Sequence, residues 1–285
     1  MISKFRIGAL VIILNFFASV AMIWGQDNPS LLQMAVPSLN IAPDARGGGM
    51  GDMGAATLPD INSQYWNAAK YAFMGSKAGV SLSYTPWLRK LVNDVALVNM
   101  TGYYKLGNSD LQAISASLRY FSLGEVNIWE NIGDVPYGLN PYEMAFDVAY
   151  SRKLSESYSM AVTLRYIRSD MGTDQNDESN AGNAFSADIS GYLEKYVLMG
   201  NAEALWSFGF NLSNIGSKIS YDGGNTNQYL PAKLTLGTGL LYPIDDYNQI
   251  GVYLDLNKYM VPYAPQKEEG ETDADYQTRV DDYKS

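Results

Sequence analysis

Residues 158–168 read YSMAVTLRYIR, and their parity is what decides the fold. Met160, Val162, Leu164 and Tyr166 alternate with Ser159, Ala161, Thr163 and Arg165. Successive side chains of a strand point to opposite faces, so a period of two marks a strand with one apolar and one polar face. The same reading holds for Ile114, Ala116, Leu118 and Tyr120 against Ala113, Ser115, Ser117 and Arg119, and for Met144, Phe146, Val148 and Tyr150 against Ala145, Asp147, Ala149 and Ser151. Phe185, Ala187, Ile189 and Leu193 oppose Ser186, Asp188 and Ser190; Trp206, Phe208, Phe210 and Leu212 oppose Ser207, Gly209 and Asn211. Further on, Ile250, Val252, Leu254 and Leu256 oppose Gly251, Tyr253, Asp255 and Asn257.

Outward from these segments, strands are expected near 77–84, 92–105, 110–121, 142–152, 156–168, 183–195, 203–214, 230–243 and 248–258. A soluble sandwich alternates in the same way with its apolar face inside, so periodicity alone does not choose between sandwich and membrane barrel. The connections choose. LGNSD, KLSE, VLMGNA and IDDY are short joins, whereas 122–141, 169–182, 215–229 and the stretch after Tyr259 are long; TPWLRKL is the one short join out of place. Short turns at one end and long loops at the other are the pattern of outer-membrane barrels, and segments of this length suit a tilted span of a bilayer. The expected class is therefore all-β: a transmembrane antiparallel β-barrel of the outer membrane, with an N-terminal plug segment and barrel strands over 77–258.

Composition agrees. Of 285 residues, 47% are hydrophobic and 18% charged, with 22 tyrosines and 26 glycines, which favours aromatic-rich strands over helices. Residues 1–25 place Lys4 and Arg6 before an apolar run from Ile7 to Trp24, broken by Asn15 and Ser19 and closed by Gly25, the layout of a cleaved secretory signal peptide. Its loss leaves 18 basic against 30 acidic residues, a net charge of −12, which excludes nucleic acid as a natural partner. The chain has no histidine and no cysteine, so a serine triad lacks its base and thiol chemistry is impossible. GGGMG follows no strand and opens no helix, so it is no dinucleotide fingerprint. Asp174, Asn176, Asp177 and Glu178 could bind calcium but read more simply as a solvated loop. The reading is of a non-enzyme without cofactor or resident metal.

Residues 26–76 precede the strands, and within them 44–73 read DARGGGMGDMGAATLPDINSQYWNAAKYAF. Glycines allow close backbone approach, and Trp66 and Tyr71 bring bulk with a polar handle. This suits a compact segment around which strands are built. RGGGMGDMGAAT, then PDINSQYWNAAKYAF and GVSLSYTPWLRKLVNDV, resembles the N-terminal signature of the PorV (LptO) family, an outer-membrane component of the type IX secretion system of Bacteroidetes. Ala68 departs from the proline that the signature carries after Trp66-Asn67.

The resemblance implies a FadL-like barrel of about 14 strands with a plugged lumen, of which about nine are read here. Nine is odd, and an open nine-stranded sheet leaves two edges in lipid, so a truncated chain is expected, with residues 259–285 as an acidic extracellular loop. It further implies binding of the C-terminal signal domains of secreted cargo proteins, passage of that cargo from a translocon barrel to attachment-complex proteins, and an outer-membrane lipid surround. The alternative is FadL-like transport of hydrophobic small molecules. Two sets of candidate residues follow from the pattern itself. Arg119, Asp147, Arg165, Asp188, Lys233 and Asp255 fall on the inward parity as lumen or plug-gripping charges. Val126, Ile128, Trp129 and Ile132 make the 122–141 loop more apolar than solvation needs, as a partner-binding surface.

Overall fold

The computed structural model describes residues 32–284 except 88–89, 91–93, 108–109, 129–135, 174–178, 201, 224–226 and 269. Nine strands form one antiparallel meander: β1 (Ala78–Pro86), β2 (Val95–Leu106), β3 (Gln112–Leu123), β6 (Tyr142–Lys153), β7 (Tyr158–Thr173), β8 (Ser179–Met199), β9 (Ala202–Gly216), β10 (Lys233–Pro243) and β11 (Gln249–Tyr259). A separate ribbon pairs β4 (Val126–Ile128) with β5 (Tyr137–Leu139). β1 and β11 are the two edges of the large sheet. Each strand pairs with its neighbour in the chain because a short turn can join antiparallel strands directly. In the IDDYN turn the Asp245 carboxylate accepts the N–H groups of Tyr247 and Asn248, both at 2.8 Å, and so closes β10 onto β11.

The apolar parity faces away from the protein. Leu164 is 66% exposed, Phe185 67% and Val80 69%, while their neighbours Thr163, Ser186 and Gly79 turn toward the enclosed side. A sandwich would bury the first set, so these exposures settle the choice that periodicity leaves open. An apolar outer wall around a polar interior is what lipid demands of a strand-built membrane protein. No helix among the described residues is long and apolar enough to cross a membrane.

Three stretches expected as open loops carry structure. The 122–141 connection holds the β4–β5 ribbon. The 169–182 connection is largely strand, because β7 runs on to Thr173 and β8 begins at Ser179. The acidic tail holds a helix, Asp273–Lys284, whose start is set by Thr272, which accepts the Asp275 N–H at 3.2 Å. Alternation loses its signal where a strand leaves the membrane and both faces meet water.

Inside the sheet lies the N-terminal segment. A 3₁₀ turn, Pro37–Asn40, precedes the short helices Ala45–Gly49 and Ser63–Trp66 and a 3₁₀ stretch, Ala68–Phe73. Asp44 caps the first helix by accepting the Gly47 N–H at 2.7 Å, and Asn67 caps the last by accepting the Ala69 N–H at 3.1 Å. Two apolar clusters hold the segment at its ends. Val36 and Leu39 pack with Ala145, Ile167, Ala184 and Ile219 toward the long connections; Ala69 and Tyr71 pack with Tyr103, Ala149 and Tyr192 toward the short turns.

Candidate functional site

Trp66 organises the plug. Its indole lies against Gly47 and Gly54, where an added Cβ would come within 2.3 and 2.2 Å of the ring, and its Nε1 donates to Asp44 Oδ2 at 2.8 Å. Only glycine fits on either side of that ring. The wall also yields to the plug: a Cβ on Gly209 would stand 1.9 Å from the Ala55 carbonyl oxygen. Buried Lys70 ties the folded segment together, donating to the Gly54 carbonyl at 2.8 Å and to Thr57 Oγ1 at 3.1 Å. Loss of hydration pushes its ammonium down to about 8, with Asp60 acting in the other direction.

Five of the six lumen charges fall into two groups. Arg165 donates through Nε to Asp147 Oδ2 at 3.0 Å and through Nη1 and Nη2 to Asp188 at 3.1 and 2.9 Å, all three side chains being buried. Asp147 is also held by Gln64 Nε2 at 3.0 Å, so the wall network reaches the plug. Asp188 accepts the Asn214 N–H at 2.7 Å, and that N–H points inward because β9 bulges there, with Asn214 at φ 58°. Arg119 grips the plug directly, donating to the Ser38 carbonyl at 2.9 Å and lying 4.5 Å over the Tyr65 ring. Asp255 does so from β11, accepting the N–H groups of Gly54 and Ala55 at 2.8 and 3.0 Å. Lys233 lines the same lumen, half-buried, in no ion pair among the described residues. At the level of these charges the space between plug and wall is a small cavity of ≈ 30 Å³.

Other gripping residues lie outside the charged set. Ser159 donates to Ala69 O at 2.7 Å, Ser207 to Ala56 O at 2.6 Å, Asn67 to Gly191 O at 2.9 Å and Asn211 to Trp66 O at 3.0 Å. Ser159, Ser207 and Asn211 sit on the inward parity, but small polar side chains there look no different from ones that line water. In the 122–141 connection Val126 is 45% exposed and Ile128 half-buried, both in β4. Trp129 and Ile132 lie outside the described residues, as do residues 174–178 and the leader 1–25.

An apolar-walled, strand-built membrane protein whose lumen is filled by its own N-terminal segment is a plugged β-barrel of the outer membrane. The family model for the type IX secretion system protein PorV matches residues 25–267. The chain belongs to that family and is a type IX secretion component of the outer membrane. A search of the curated proteins finds no match.

Proposed function

We propose that this protein is a non-enzymatic carrier platform of the secretion system. It is exported through a cleaved leader (residues 1–25). At the cell surface it binds the C-terminal signal domains of secreted proteins as they leave the translocon barrel, and passes them to the attachment complex. The observation that supports this reading is the filled lumen: a plug tied to the wall through Arg119, Asp147 and Asp255 makes the barrel an anchor, and leaves the long-connection end as the surface for partners. Transport of a hydrophobic solute would need an apolar path past the plug, and at the level of the charged network the space is a cavity of ≈ 30 Å³ beside Arg119, Arg165 and Asp188, too small and too charged to serve as one.

Deletion of the gene, with surface display of C-terminal-signal proteins and uptake of a long-chain fatty acid measured in parallel, tests the proposal. Cargo stranded in the periplasm with its signal uncleaved, and normal uptake, is the expected result. Normal display with lost uptake would replace the carrier with a transporter.

A further inference from the structure

Above the plug, at the long-connection end, the inner wall and the plug border an open crevice of ≈ 700 Å³. Met34, Val36 and Pro37 of the N-terminal segment form one side, Leu123 and Met171 from the ends of β3 and β7 the other, and Tyr221 closes it from the 217–232 connection. Its size lies within the span of small-ligand pockets, roughly 300–1,000 Å³, with room for several aliphatic side chains. Two methionines among the lining residues suit varied occupants, because the unbranched thioether chain adapts its shape.

Two lining groups are charged, Glu143 and Asp222. Glu143 is 1% exposed; its Oε2 accepts the Ser38 N–H at 3.0 Å, and no ion pair is described for it. Most of the surrounding charge has the same sign, with Arg119 and Lys218 as the basic groups nearby. Asp94 and Glu125 are exposed beside the β3 end of the crevice. The acidic helix Asp273–Lys284 is seated on the connection that supplies Tyr221: Tyr283 packs on Tyr229 with ring centroids 5.4 Å apart, and Lys218 donates to the Tyr283 carbonyl at 3.3 Å. An apolar pocket with a buried carboxylate and an acidic rim repels phosphate headgroups and favours cations, which argues against lipid as its occupant.

We infer that this crevice is the docking seat for an extended segment of an exported protein in which a short apolar run is flanked by Lys or Arg. The apolar side chains fill the space between Leu123 and Met171, and a basic group meets Glu143 and the rim. Val36 and Pro37 belong to the plug, so an occupied crevice presses on the segment that fills the lumen. The inference rests on the reading that this end meets secreted proteins, and it adds which residues do so and what chemistry they select.

The full chain in nanodiscs of neutral lipid is titrated with two synthetic dodecapeptides that share one apolar centre, flanked by Lys in one and by Glu in the other. The Lys-flanked peptide is expected to bind at least tenfold more tightly, with an advantage that shrinks as salt rises. Leu123→Gln and Met171→Gln each weaken it several-fold, Glu143→Gln reduces the preference for Lys, and Asp245→Asn at the opposite end changes nothing. Met171 is 36% exposed, so its variant folds even if the one at buried Glu143 does not. Equal binding of the two peptides, or binding indifferent to Leu123 and Met171, overturns the inference. Cargo display in cells separates it from the carrier reading: a deletion strain that loses display while Met171→Gln keeps it sinks the crevice alone. A deletion strain with normal display sinks the carrier, and the titration then decides the crevice by itself.

Discussion

Arg165 shows how much one side chain can decide inside this wall. It faces Asp147 directly across the β6–β7 ladder, and the β9 bulge presents Asn214 to Asp188 on its other side. Removing one member of a buried ion network leaves its partners charged and unpaired, at a cost of roughly 3–5 kcal/mol. Arg165→Met should lower stability in detergent by that order, and Arg165→Met with Asp147→Asn and Asp188→Asn should recover much of it; equal losses would mean the network is hydrated. At Gly209 the same measurement should show about 1–3 kcal/mol lost on change to Ala, with faster proteolysis of the plug, because the new methyl displaces the Ala55 backbone. Lys70 supplies a pH signature. Its folded-state value of about 8 lies below that of the unfolded chain, so the unfolded state holds more protons between them and stability rises with pH from about 8 toward 10. Lys70→Met should remove that rise, which reaches at most about 1.4 kcal/mol per pH unit; a wild-type curve flat over this window would show that the ammonium is not desolvated.

At the scale of elements, what was legible in the sequence follows from what parity can and cannot carry. Parity assigns a face, so the inward position of Arg119, Asp147, Arg165 and Asp188 is readable from alternation alone. It does not assign register. Lys233 and Asp255 share the inner face, but Asp255 pairs with Gly237, four residues along β10 from Lys233, or about 13 Å at the rise of a strand. The β9 bulge is equally silent, since one extra residue leaves no mark in composition. The plug's glycines could be read as places of close approach, but not that Trp66 is what approaches Gly47 and Gly54. The β4–β5 ribbon and the overrun of β7 and β8 lie beyond the apolar band, where the pattern that finds strands ends. Within the band the outer face should be intolerant of charge. Leu164→Lys at the middle of β7 should reduce the free energy of folding into lipid vesicles by about 2–4 kcal/mol, whereas Val126→Lys on the ribbon should change it little. Similar losses at both positions would place the ribbon in lipid.

For the whole molecule the remaining question is direction, and asymmetry between the two ends answers it. The turns that join β2 to β3, β6 to β7, β8 to β9 and β10 to β11 lie at one end, with the exit of the plug at Met74, whose carbonyl accepts from Lys105 at 2.8 Å. The ribbon, the 217–232 connection and the acidic helix lie at the other, together with the entry of the plug near Ala35, whose N–H meets the Tyr229 carbonyl at 2.9 Å. Long connections of outer-membrane barrels face the outside and short turns the periplasm. The absence of cysteine from the sequence makes this testable without background, since any introduced thiol is unique. Val126→Cys and Asp275→Cys should react with a membrane-impermeant maleimide on intact cells, and Glu156→Cys and Asp245→Cys should react once the outer membrane is opened. Both positions of each pair sit on exposed connections or on the terminal helix, so the labelling reports access instead of stability. Labelling of Asp245→Cys on intact cells would invert the molecule and turn the acidic crevice, with its plug-built floor, toward the periplasm. The carrier would then meet its cargo before export, and the surface role proposed for the long connections would have to pass to the short turns.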